Sequence, residues 1–278
     1  MPWDASGSWG AAICTPRALP PGAWMAAARL AVRANPVNRP GVGTAQQMAA
    51  GLFVPPEHLA VLTTKYWPAG TVIPVAFLDA PPADLRDRIL GHATAWAATA
   101  NVAFVPAGPA DAWVRVARFP GGGYWSLLGT DHRLAATGRV EVGTPAGETL
   151  NLDSFTMRTP DSEFHRVVRH EFGHALGFPH EHSRGEIIAL LDPDRVVAYF
   201  QETQGWSEAM IRQQILTPLD PAQLLAAPAE QASIMCYQFP GSVTRSGRPI
   251  PGGADITAED AEFAARVYPG RVASPPPS

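Results

Sequence analysis

Residues 170–180 read His170-Glu171-Phe172-Gly173-His174-Ala175-Leu176-Gly177-Phe178-Pro179-His180. On a helix, positions i and i+4 lie on one face, one turn apart. His170 and His174 can therefore hold one metal ion through neutral imidazole nitrogens, at about 2.0–2.1 Å. Glu171 stands beside the first of them, where its carboxylate reaches a water on the metal rather than the metal. Gly177 can adopt a left-handed conformation, end the helix and turn the chain back. His180, three residues on, then closes a trio. Three protein ligands with a further position open are the arrangement of catalytic rather than structural zinc. Three neutral ligands also leave the ion its full charge, which lowers the pKa of bound water toward about 7.

Upstream, Thr159 reads as the N-cap of this helix, with Pro160 at the first helical position and Asp161 in the first turn. Phe164, Val167, Val168 and Phe172 give it a buried face. Downstream, Ser233-Ile-Met-Cys-Tyr237 places Met235 in a short apolar run, where its sulfur can form a soft floor under the metal ligands.

Further outward, Thr71 to Leu78 is a β-rich run in which Pro74 favours an edge or a strand start. A helix is predicted over 82–100, with Leu85, Ile89, Ala93, Trp96 and Ala97 on one stripe. Ala103–Val105, Trp113–Ala117, Tyr124–Leu128 and, more weakly, Leu150–Phe155 are further strands. Asp192-Pro193 opens a helix to about Gln204. Thr257-Ala-Glu-Asp260 reads as a capping box for a final helix ending near Tyr268. Before residue 65 the chain is rich in Pro, Gly and Ala, with one helical patch over Trp24–Arg33 and little core of its own.

The bulk numbers fit one globular unit. The chain has 278 residues, 46% hydrophobic and 17% charged, with a net charge of −4. The 21 basic residues are scattered, which excludes a nucleic-acid footprint. No apolar stretch is long enough to span a membrane. Met1–Ala12 lacks the features of a signal peptide. The expected location is thus cytoplasmic, or outside the cell by a leaderless route; a chain whose leader had been removed would read the same. Two cysteines, Cys14 and Cys236, exclude a disulfide-dense scaffold.

The spacing of His170, Glu171, His174, Gly177 and His180, followed by Met235, is the metzincin signature. More closely, residues 170–184, the opening Tyr66-Trp-Pro-Ala-Gly-Thr-Val-Ile-Pro74 and the turn Ser233–Tyr237 resemble the astacin-like family. Cys236 and the segment around Ile13-Cys-Thr15 resemble its bacterial branch. The likeness covers about residues 65–269. It implies an α+β metzincin fold: a twisted, mostly parallel sheet with an antiparallel edge strand, an active-site helix, and an irregular C-terminal subdomain ending in a helix. It implies a leading, pro-peptide-like segment over 1–65, a catalytic domain over 66–269 divided after residue 180, and a flexible tail over 270–278. It implies a zinc-dependent endopeptidase, expected as a monomer, acting on protein or peptide substrates. Zn2+ would sit on His170, His174 and His180, with Tyr237 as a fifth ligand, and Glu171 would be the general base. Tyr237 would also steady the oxyanion, and an extended substrate would pair with an edge strand, for which Tyr124–Gly129 is the candidate. In that family Glu181 anchors a new N-terminus; here no cleavage site is evident.

Other readings remain at this point. The histidines could serve a zinc-dependent peptide-binding module without catalysis, though binding needs no base at Glu171. A structural zinc closed by Cys14 or Cys236, or a metzincin of another branch, are further alternatives. Cys14 is read as a buried free thiol, as a thiolate that closes the zinc site and keeps the enzyme latent, or as half of a Cys14–Cys236 disulfide. His182 is expected behind the ligands or facing solvent. His58, His92 and His132 carry no ligand spacing.

Overall fold

The computed structural model describes residues 13–15, 17–39, 63–140, 142, 144, 146–219 and 229–270. His58, the tail beyond residue 270 and the chain before Ile13 lie outside them. The leading helix α1 (Trp24–Ala34) is followed by strand β1 (Thr71–Phe77), helix α2 (Ala83–Ala93) and strand β2 (Val102–Pro106). Strands β3 (Val114–Ala117) and β4 (Tyr124–Ser126) follow, then helix α3 (Asp131–Ala136) and strand β5 (Leu150–Leu152). The five strands form one sheet in the order β2-β1-β3-β5-β4. All pairings are parallel except β4 with β5. The mostly parallel sheet with an antiparallel edge is thus as expected.

Pro74 is not at an edge, since β1 is paired on both sides. The reason is local. Trp113 donates its N–H to the Pro74 carbonyl at 3.0 Å, so the N–H that proline lacks would point toward β3. The ladder with β3 begins one residue later, at Val75 and Val114. The missing donor falls where no partner carbonyl is needed.

The motif helix α4 runs through Asp161–Glu163, a π turn over Phe164–Val168, and Arg169–Ala175. Its cap is Pro160 rather than Thr159. The Thr159 hydroxyl instead turns back to accept the Thr156 N–H at 3.0 Å, closing the preceding turn. Phe172 and Phe164 seat the helix on the sheet side, each edge-on to Phe104 or Phe155 at 4.9 and 5.0 Å between centroids. At the other end Gly177 takes φ +95°, and a Cβ there would lie 3.0 Å from the Lys65 carbonyl oxygen. The helix's last carbonyls find partners in the core. Trp67 Nε1 donates to Ala175 O at 2.8 Å, and the Tyr268 hydroxyl donates to Leu176 O. Such end groups, left buried and unpaired, would cost about 1–3 kcal/mol each.

After His180 come the short helix α5 (Gly185–Ile188), α6 (Pro193–Gln204), α7 (Glu208–Ile215) and the final α8 (Ala258–Val267). Asp192 caps α6, and Thr257 with Asp260 forms the expected capping box of α8. Val196, Phe200, Ile211, Ile215 and Phe239 make a core of their own on this side of the motif.

The leading segment is tied to the rest. Leu19, Ala23 and Ala27 pack against Leu127, Leu134 and Ala135. Asn38 is wholly buried; its amide donates to Ala31 O at 2.9 Å and to Tyr66 O at 2.8 Å. Its carbonyl accepts from Tyr66 N and from the Thr64 hydroxyl, each at 2.9 Å. Asn35 adds a bond to Trp67 O at 2.8 Å.

His132, at the start of α3, is fully buried between Thr149 Oγ1 (2.7 Å) and Leu127 O (2.9 Å). Burial holds its pKa down at about 3. The folded protein therefore refuses a proton that an unfolded chain accepts below about 6.5. Stability is complete above that value and falls as the pH drops toward 3. At pH 4.5 this one histidine accounts for about 2–3 kcal/mol. Denaturant titrations at pH 7 and 4.5 should show a loss of that size that shrinks in His132→Gln; equal losses in both proteins would sink the assignment.

Candidate active site

The three motif histidines converge. His170 Nδ1 donates to Ile234 O at 2.6 Å, and His174 Nδ1 donates to Phe178 O at 2.7 Å. Those bonds fix the tautomers, so both Nε2 atoms carry lone pairs. They lie 3.2 and 3.0 Å from His180 Nε2. Burial holds all three rings far below the usual histidine range, His174 at about 4, so all three are neutral near neutral pH, and with its own proton on Nδ1 His180 turns a third lone pair to the same point. Lone pairs this close repel unless a cation joins them. The edge of a tetrahedron with bonds of 2.0–2.1 Å is about 3.3–3.4 Å, which is close to what the nitrogens already span. The donor set thus fits zinc.

Glu171 is 1% exposed, and Cys14 is 6% exposed. The Cys14 thiol donates to Glu171 Oε2 at 3.5 Å. The Cys14 sulfur and one ring nitrogen of each of His170, His174 and His180 lie within 4.8 Å of one another. Burial pushes Glu171 up to about 8, while the Cys14 thiol and Arg166 pull the other way. The same burial, with the Glu171 carboxylate, pushes the Cys14 thiol well up. A divalent cation among the histidines would draw both back down.

Cys14 arrives here as an added strand. Thr15 N donates to Tyr124 O at 2.7 Å, and Cys14 bridges Tyr124 in parallel. Arg17 covers the Trp125 ring at 4.4 Å. The Tyr237 hydroxyl donates to the Cys14 carbonyl. The Tyr237 ring stands edge-on to His180 at 4.6 Å and lies over His182 at 3.9 Å. His182 is wholly buried, so the solvent-facing alternative does not hold. Cys236 and Cys14 are both free thiols, which removes the disulfide reading.

Met235 lies under the helix. A Cβ on Gly173 would sit 2.6 Å from its sulfur, so only glycine between His170 and His174 admits it. The turn that carries Met235 is pinned by a residue read from sequence only as a cap. Asp260 accepts from Ser233 Oγ at 2.6 Å, Ile234 N at 2.8 Å and Thr257 N at 3.0 Å. The Ile234 carbonyl, held in this way, orients His170. Asp260→Ala strands several buried donors and should cost roughly 3 kcal/mol. Denaturant unfolding measures it; a loss below about 1 kcal/mol would show that the turn stands without its pin. Glu181 pairs with Arg184 at 2.6 Å and accepts from Glu230 N at 3.1 Å.

No family model and no curated protein matches the chain. Solved structures do. It is similar to the structure of myroilysin, a bacterial astacin-like metalloprotease, with 30% identity over 75% of this chain and 97% of that one, TM-score 0.66. The chain belongs to the astacin-like metzincins. A second myroilysin structure matches at 30% identity over 74% of this chain and 86% of that one, TM-score 0.54. High choriolytic enzyme 1, a hatching enzyme zinc-protease from the medaka Oryzias latipes, is 18% identical over 75% of this chain and 96% of that one, TM-score 0.49. This astacin-like chain is a metalloendopeptidase acting on peptide substrates. No helix among its described residues is long and apolar enough to cross a membrane.

Proposed function

We propose that this metalloendopeptidase uses Glu171 as its general base at a zinc held by His170, His174 and His180, and that Cys14 keeps it latent. The observation that carries this is Glu171 itself. Its carboxylate is buried and, among the described residues, takes one hydrogen bond, from the Cys14 thiol. A buried carboxylate so poorly served costs stability and survives where its basicity is used.

Zinc, when bound, supplies a Lewis acid for the scissile carbonyl and for the attacking water. Glu171 accepts the water's proton and returns it to the leaving amine. His170 and His174 are held to the reaction by the Ile234 and Phe178 carbonyls, which keep their Nε2 lone pairs inward. Tyr237, freed from the Cys14 carbonyl, donates its O–H to the developing oxyanion, a contribution of about 2–4 kcal/mol. The substrate pairs with the β4 edge that Cys14 and Thr15 now take. Residues 1–65 act as the pro-segment of a catalytic domain over 66–269.

The test uses Cys14→Ser to relieve latency. Chelation should abolish cleavage of an internally quenched peptide, and added zinc should restore it. Full activity in the metal-free protein would overturn the reading.

A further inference from the structure

A second cluster sits at the other end of the motif helix. Asp161 and His165, four residues apart on α4, meet His92 near the end of α2. One ligand atom from each lies within 4.8 Å of the others. Asp161 Oδ1 is 3.5 Å from His92 Nε2, and Oδ2 is 3.3 Å from His165 Nε2. Neither contact is aligned as a hydrogen bond. His165 Nδ1 donates to Asp255 Oδ2 at 2.7 Å, which leaves the Nε2 lone pair turned toward Asp161. The His92 ring packs on Phe164 at 5.3 Å and His165 at 4.8 Å, with its Nδ1 buried and unpartnered.

The Nε2 atoms of both rings face the Asp161 carboxylate without an aligned hydrogen bond, where a cation would join them. Asp161 turns one oxygen to each imidazole, at 3.5 and 3.3 Å, and one ligand atom from each of the three residues lies within 4.8 Å of the others, within reach of one ion after a small side-chain rotation. The Asp255–His165 bond is the outer contact by which a ligating histidine is oriented. His92 has no other use for either nitrogen among the described residues. The geometry points to a second metal site, formed by His92, Asp161 and His165 and suited to zinc or a similar borderline divalent ion. Two imidazoles favour such ions over calcium or magnesium. The site is separate from the catalytic trio: five helical residues put His165 about 7.5 Å along the axis from His170. Filling it would clamp the end of α2 to the first turns of α4.

Two guanidinium groups moderate its affinity. Arg88 donates to Asp161 Oδ1 at 2.9 Å, and Arg169 pairs with Asp255. The ion must share Asp161 with Arg88, so Arg88→Gln should bind zinc more tightly than the parent.

Equilibrium dialysis of the full chain against a small excess of Zn2+, with metal counted by mass spectrometry, tests the site. Two zinc ions are expected for the parent and one for Asp161→Asn. His92→Phe, which keeps the ring packing, should also hold one. The second zinc should raise the melting temperature of the parent and leave Asp161→Asn unmoved. Asp161 is largely exposed, so that variant should melt like the parent before zinc is added. Equal zinc in parent and Asp161→Asn, whether one or two, overturns the proposal. One zinc in the parent and none in Asp161→Asn upholds it while removing the trio's zinc instead.

Discussion

Glu171→Gln is expected to lower kcat for peptide cleavage by about 10²–10⁴-fold, with zinc content at the trio unchanged. Gln matches Glu in shape but cannot accept the proton. His170 and His174 keep their carbonyl partners, since neither Ile234 nor Phe178 touches the changed group through a hydrogen bond. Stability should move the opposite way. The substitution removes a carboxylate that burial pushes up to about 8 and that has a thiol as its hydrogen-bond donor. Near neutral pH the metal-free fold must take up a proton on Glu171 that the unfolded chain does not hold, a cost that Gln does not carry, so the melting point should rise. A purely structural glutamate would do the reverse, losing stability along with activity. The measurement is therefore paired: steady-state cleavage in the Cys14→Ser background, and thermal unfolding in the same proteins. Full activity of Glu171→Gln with zinc in place would end the general-base assignment.

Cys14→Ser is expected to raise the activity of the full chain under reducing conditions by about 10–10³-fold. Local concentration sets the size of the effect. A tethered thiol is presented at an effective concentration of millimolar or more, whereas substrates compete at KM values of about 1 μM to 1 mM. Serine is a poor zinc ligand, so the sulfur's share of the block is lost. The main chain still holds through Thr15, and Tyr237 still finds the carbonyl at position 14. Activation should accordingly appear chiefly as a lower apparent KM, and as a higher rate at substrate concentrations below it. Cobalt substitution gives a second readout: the parent should show a thiolate-to-metal charge-transfer band that Cys14→Ser lacks. Equal activity and equal spectra would return Cys14 to the status of a buried thiol.

The site was the most legible part of this chain because its spacing is periodic. His170 and His174 are one helical turn apart, and Gly177 marks the stop; both follow from helix geometry alone. The strands followed from β-rich composition, and the mostly parallel pairing with its antiparallel edge came with the resemblance rather than with any strand's own pattern; the order in the sheet is set by pairings between distant segments that no local pattern encodes. What escaped depended on contacts between distant segments. Asp260 announces a capping box locally, yet the same carboxylate holds the Ser233–Cys236 turn, which no local pattern encodes. Pro74 argued for an edge because its missing N–H is visible in sequence, while the residue at which the β3 ladder begins is not. Thr159 had the chemistry of a cap but spent its hydroxyl on the preceding turn. His92 had no ligand spacing to show, since its neighbours Asp161 and His165 come from another helix.

If residues 1–65 are the pro-segment proposed above, Asn38 gives their release a step of its own. Its four hydrogen bonds reach both into α1 and onto Thr64 and Tyr66, the stretch that leads into the Trp67 partner of the motif helix. Cutting the chain between residues 39 and 63 would break a covalent link and leave that anchor whole. On the proposed reading of residues 1–65 as a pro-segment, scission and departure would be two events with two rates, and departure would set how long the protease stays silent after the cut.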